Sequence, residues 1–121
     1  MKFESINFKE KLAKFTEHWS PKVIAEMNDY QFKLAKIQGH FTWHDHKDTD
    51  EVFLVLEGEM AIDFRDDSVT ITAGEMFVVP RGLEHKPFAE KECRILVIEP
   101  KGVSNTGDVK DAFTVEGDVW I

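Results

Sequence analysis

The strongest constraint on this chain is a change of period near Tyr30. From there on, apolar and polar residues run in short stretches with a two-residue repeat, near 31–38, 41–46, 51–57, 60–65, 68–72, 76–79, 85–89 and 93–99. A two-residue period puts alternate side chains on opposite faces of an extended strand. Between the stretches stand residues that bend a backbone: Gly39, Glu57-Gly58, Asp66-Asp67, Ala73-Gly74, Pro80-Arg81-Gly82 and Pro100-Lys101-Gly102. Short strands at this spacing, with no helical pattern between them, predict an all-β sandwich or barrel rather than βαβ units.

Only the first twenty residues read as helix. Asn7 and Glu10 have the spacing of a capping box, and Phe8, Leu12 and Phe15 form one apolar face before Ser20-Pro21 ends it. The segment after Gly102 is polar until Val119-Trp120-Ile121, a tripeptide predicted to dock on the barrel or on a partner subunit. With no repeat and no linker, residues 1–121 read as one domain whose barrel core spans about 30–100.

The net charge of −8 disfavours nucleic acid and anionic membrane surfaces, both of which need a basic footprint. Apolar runs such as Val52–Leu56 and Ile95–Ile98 are too short to cross a bilayer. The first residues show no apolar leader, and the single cysteine, Cys93, has no partner for an internal disulfide. A cytoplasmic setting is the expectation, with Cys93 as a packed structural thiol.

The chemistry concentrates in two stretches. In the first, His44 and His46 stand two apart, so on a strand both imidazoles leave one face, and Glu51 returns after a polar turn. In the second, Gly74 and the Pro80-x-Gly82 turn bracket a strand, and His85 follows. Imidazole nitrogen and carboxylate oxygen suit Fe, Mn, Ni, Cu or Zn. Each residue alone has a plainer reading as a surface histidine or a solvated strand-end charge; the joint spacing carries the signal. His18, beside a helix end, and His40 take the plainer reading, though His40 shares parity with His44.

These stretches resemble the two motifs of the cupin superfamily, here written Gly39-x4-His44-x-His46-x4-Glu51-x6-Gly58 and Gly74-x5-Pro80-x-Gly82-x2-His85. The resemblance covers roughly residues 31–99 and is to type-2, single-domain cupins, the small barrels similar to that of mannose-6-phosphate isomerase. It implies a double-stranded β-helix, or jelly roll, holding one divalent transition metal on His44, His46, Glu51 and His85. Two positions depart from the common pattern: four residues rather than five separate Gly39 from His44, and Ala89 stands where an Asn often follows the second motif.

Parity from the metal residues predicts the rest of the pocket as Thr42, Phe53, Val55 and Pro87, with His40 as a weaker candidate. Phe41 and Trp43 then fall on the outside, to be covered by the N-terminal segment or in a homodimer. A phosphosugar needs cations beside the metal, and Arg81, Lys86 and Arg94 are outweighed by Asp45, Asp48, Asp50 and Glu84. The expected partner is therefore a small organic molecule without strong negative charge. The resemblance implies either a metal-dependent enzyme, dioxygenase-like or isomerase/epimerase-like, or a non-catalytic binding or sensing module. Its catalytic residues are not named by the sequence.

Overall fold

The computed structural model describes residues 2–121. Its elements follow as α1 (Phe8–Leu12), β1 (Lys22–Met27), β2 (Tyr30–His40), β3 (Glu51–Glu57), β4 (Glu59–Asp63), β5 (Ser68–Thr72), β6 (Met76–Val79) and β7 (Lys86–Pro100). Neighbouring strands pair antiparallel in the order β1-β2-β7-β3-β6, with β4 joined to β7 and β5 to β4. This is an all-β jelly roll with a short N-terminal helix: the two-residue period predicted a sandwich or barrel, and the resemblance implied this form of it.

Two long strands close the barrel. The start of β7 pairs with β4 (Pro87 opposite Ile62), and its second half pairs with β3 (Leu96 opposite Leu54). β2 follows β7 along its length, with a register shift between Ile37 and Gly39. Gly39 has φ of +81°, a left-handed conformation that glycine adopts without a Cβ clash, so the register can shift there at little cost. The stretches expected as two strands, 85–89 and 93–99, are thus a single strand.

Three other expectations are corrected. Residues 41–46 form no strand; among the described residues their sheet pairing is one isolated bridge, His44 opposite His85. β1 was not anticipated because a register shift between Val23 and Ala25 breaks its alternation and buries Lys22, Val23 and Ile24 consecutively. Lys22 tolerates burial because its Nζ donates to Glu17 Oε2 at 2.9 Å and to Ser20 Oγ at 3.1 Å. The helix is only five residues long. Its cap is as predicted, the Glu10 N–H donating to Asn7 Oδ1 at 2.9 Å.

The core has two parts. Inside the barrel Ala35, Ile37, Phe53, Val55, Met60, Ile62, Ile71, Val79, Ala89, Cys93, Ile95 and Val97 pack together. Outside the sheet, Leu12 and Phe15 cover Ile24, Leu34 and Leu96, so α1 is held by packing more than by its own length. The terminal tripeptide docks on its own barrel: the Val23 N–H donates to Val119 O and the Ile121 N–H to Val23 O. No helix among the described residues is long and apolar enough to cross a membrane.

Candidate metal centre

The four residues singled out by spacing come together at one end of the barrel. His44 and His46 sit on the irregular segment after β2, Glu51 opens β3, and His85 immediately precedes β7. His44 and His85 are locked by two backbone hydrogen bonds, His44 N–H to His85 O at 3.0 Å and His85 N–H to His44 O at 2.9 Å. The Gly82 N–H donates to His46 O at 2.8 Å, so the Pro80-Arg81-Gly82 turn fixes the second imidazole. One potential donor atom from each of the four residues lies within 4.8 Å of all the others, and all four residues are buried.

The hydrogen bonds decide which nitrogens face the centre. His44 Nδ1 lies 3.0 Å from Thr42 O and His85 Nδ1 2.9 Å from Leu83 O. A carbonyl only accepts, so Nδ1 of each ring carries the proton and Nε2 keeps its lone pair. Among the described residues, His46 Nε2, His85 Nε2 and Glu51 Oε1 are buried with no hydrogen-bond partner. Glu51 Oε1 is 3.3 Å from His46 Nε2 and 3.4 Å from His85 Nε2, near enough to attract but not in hydrogen-bonding geometry. Orphaned buried polar atoms cost free energy, and here three converge on one point. A divalent cation would satisfy all three together, which is the fit a metal site requires.

The electrostatics agree. His44 is pushed down to about 4, first by burial and then by the neighbouring His85, so its imidazole is neutral near pH 7 and free to ligate. Burial alone would raise Glu51; contacts with His46, His85 and Glu99 outweigh it and hold the carboxyl below its ordinary value. By contrast, burial pushes the Cys93 thiol up to about 11, in keeping with an inert packed cysteine.

Beside the four residues is a cavity of about 50 Å³, walled by Trp19, Phe41, Phe53, Pro87, Ile95 and Val97 among others, with Glu99 and Asn105 adding polar atoms. Of the five pocket residues predicted by parity, Phe53 and Pro87 line it. Val55 lies deeper, fully buried in the barrel core. Thr42 contributes its carbonyl to His44 and is not in the wall. His40 is exposed, stacked on Phe88 with 4.3 Å between ring centroids and bonded to Lys86 Nζ at 2.9 Å. The parity argument assumed a regular strand at 41–46. Without one, Phe41 turns inward, stacking on Trp19 at 4.6 Å, while Trp43 lies under the Arg65 guanidinium at 3.9 Å.

Glu99 went unnoticed although its signal was present: it continues the inward parity of Cys93, Ile95 and Val97. Trp19 and Asn105 had no such signal, because they reach the cavity from irregular segments far apart in sequence.

A family model described as the cupin domain matches residues 31–99. The chain belongs to the cupin family. A cupin-2 domain protein from Shewanella frigidimarina, known from its crystal structure, is 61% identical with a TM-score of 0.79, over 79% of this chain and 94% of that one. The Neisseria meningitidis protein NMB1881 is 41% identical with a TM-score of 0.74, over 81% of this chain and all of that one (100%). An uncharacterised Bacillus subtilis protein, YdbB, is 40% identical over 94 residues, 77% of each chain.

Proposed function

We propose that this cupin binds one divalent transition metal on His44, His46, Glu51 and His85, and uses it to act on a small, mostly apolar organic molecule. The observation that carries this reading is the convergence of His46 Nε2, His85 Nε2 and Glu51 Oε1, all buried and unpartnered, on a single point beside a cavity. A metal held there supplies Lewis acidity and, if Fe or Mn, electron transfer.

The chain's own residues do the rest. Thr42 O and Leu83 O orient two imidazoles, and Glu51 supplies the one anionic donor. Phe41, Phe53, Pro87 and Ile95 exclude water and offer apolar contact. At about 50 Å³ the cavity has room for roughly four waters, so the ligand portion it accepts is a few heavy atoms. With the carboxyls of Glu51 and Glu99 in its wall and no Lys or Arg, it disfavours phosphosugars and other strong anions. As part of the same reading, residues 1–121 act as one domain, in a homodimer, in the cytoplasm; the lone buried thiol suits a reducing compartment.

The deciding experiment pairs metal analysis with turnover. Wild type is expected to carry about one equivalent of metal, and a Glu51→Ala, His85→Ala double variant almost none. Fe(II)- or Mn-loaded protein is then offered diketones, thiols and sugar phosphates, with oxygen uptake and product followed. Equal metal content in the two proteins would remove the centre. Ligand binding with no turnover would replace the enzyme reading by a binding or sensing one.

A further inference from the structure

The cavity beside the four metal residues has one open side. Every residue of its wall is buried except Trp19, Pro21 and Asn105, which are half-buried and so form its mouth. None of the three belongs to a strand: Trp19 and Pro21 lead into β1, and Asn105 follows β7. Pro21 and Asn105 also line a second, larger cavity of about 190 Å³, between the β1–β2 pair and the segment after β7. A further link joins the two. Lys33 lines the outer cavity, Glu99 lines the inner one, and Lys33 Nζ donates to Glu99 Oε1 at 2.9 Å. The inner cavity thus opens into the outer one past Pro21, Asn105 and this pair.

The two cavities differ in chemistry. The inner wall is mostly apolar and accepts a few heavy atoms, whereas the outer wall carries Lys33, Ser104, Glu116 and Asp118. An ammonium has three N–H donors, and among the described residues that of Lys33, only 6% exposed, has one acceptor, Glu99. Buried donors left unused cost free energy, so the outer cavity favours a guest that brings an acceptor. Its charge disfavours an anionic guest, because Glu116 and Asp118 outnumber the one cation. A gap left by poor packing of the returning segment would need no buried ammonium in its wall. We propose that the outer cavity is a second subsite of the metal centre, and that the molecule bound is neutral with two unlike ends. A small apolar head occupies the inner cavity, and a tail bearing a hydroxyl or amide occupies the outer one. This rests on the metal reading above and adds to it the class of molecule.

The test follows the visible spectrum of the Co(II)-loaded full chain as imidazole and three N-substituted imidazoles are added. All share one small metal-binding head; the tails are propyl, 3-hydroxypropyl and 2-carboxyethyl. We expect the hydroxypropyl compound to bind about three- to tenfold more tightly than the propyl one, and the carboxyethyl compound more weakly than either. Ser104→Trp fills the outer cavity; it should bind imidazole within about twofold of wild type and lose the preference for the hydroxypropyl tail. If that variant does not fold, Val119→Trp, at an exposed position on the same wall, decides by the same two readouts. Equal binding of the propyl and hydroxypropyl compounds by wild type would overturn the proposal. So would a preference for the carboxyethyl tail, a hydroxypropyl preference that survives the filled cavity, or an equal loss of imidazole and hydroxypropyl binding in the variant. A wild type that takes up no Co(II) would overturn this proposal and the metal reading together; one that takes up Co(II) but ignores the tails, or binds none of the four compounds, overturns this one alone.

Discussion

At the scale of single residues, each orienting contact works through the two ends of an imidazole. Nδ1 of His44 and of His85 is committed to a backbone carbonyl, which leaves Nε2 for the centre. Keeping His44 neutral has a consequence for stability. Its ordinary value is 6.5 and burial lowers it to about 4 in the folded chain. Between those values the unfolded chain binds a proton that the folded chain refuses, so acid favours unfolding. The metal-free protein should therefore be stable above pH 6.5 and lose stability as pH falls toward 4, with His44 contributing about 3 kcal/mol to the loss. Urea melts of metal-free wild type and His44→Gln across that range check this; the variant's pH dependence should be flatter. The lowered Glu51 carboxyl acts in the same direction, but in more acidic solution.

At the scale of elements, the segment after β7 braces the site. Asn105 donates from Nδ2 to Phe113 O at 2.8 Å and accepts from the Val115 N–H at 3.0 Å, folding the segment on itself. Phe113 then packs 5.2 Å from Phe41, ring to ring, and Thr106 is fully buried. Gly107, at φ +62°, lies directly against the backbone of Asp45, the residue between His44 and His46, and leaves no room for a Cβ. Gly107→Ala should therefore cost about 1–3 kcal/mol in a urea melt. By displacing Asp45 it should also weaken metal uptake in a Co(II) titration. A variant with wild-type uptake would show that the brace and the ligands move independently.

At the scale of the whole molecule, the outer face of the sheet carries two unbroken apolar rows. One runs Phe32, Ile98, Val52, Val78, and the other Leu34, Leu96, Leu54, Met76. Leu12 of helix α1 and Phe15 just after it cover the Leu34–Leu96 end, but Val78 and Met76 remain 42% and 60% exposed. The same chain presents Phe3 at 93% and Ile6 at 45% exposed beside its helix. Apolar surface of this extent on a strand edge favours association. The proposed homodimer would bury the open ends of these rows; Phe41, expected under either the N-terminal segment or a homodimer, is covered by Trp19 of the N-terminal segment and by Phe113. Light scattering should give twice the 14.0 kDa chain mass, and Met76→Asp with Val78→Asp should give a monomer with an intact fold. A monomeric wild type would end the homodimer proposal.

The sequence by itself determined the fold class, strands such as β3 and β6 beside the site, and which four residues meet. Those properties follow from a two-residue period, from turn residues and from fixed ligand spacing, all of which act within a few residues or repeat along the chain. The tertiary structure alone decided the wall of the cavity. His44 and His46 share a face as they would on a strand, yet the segment bearing them is irregular, so Phe41 points inward and Thr42 serves through its carbonyl. Trp19 and Asn105 reach the cavity, and Phe113 packs behind Trp19 and Phe41, from segments whose path is set by packing against the finished barrel, and packing leaves no periodic trace in sequence. Glu99 stands between the two cases. Its inward parity was legible, but its meeting with Lys33 and Glu51 across three strands depends on register, which exists only once the sheet has closed.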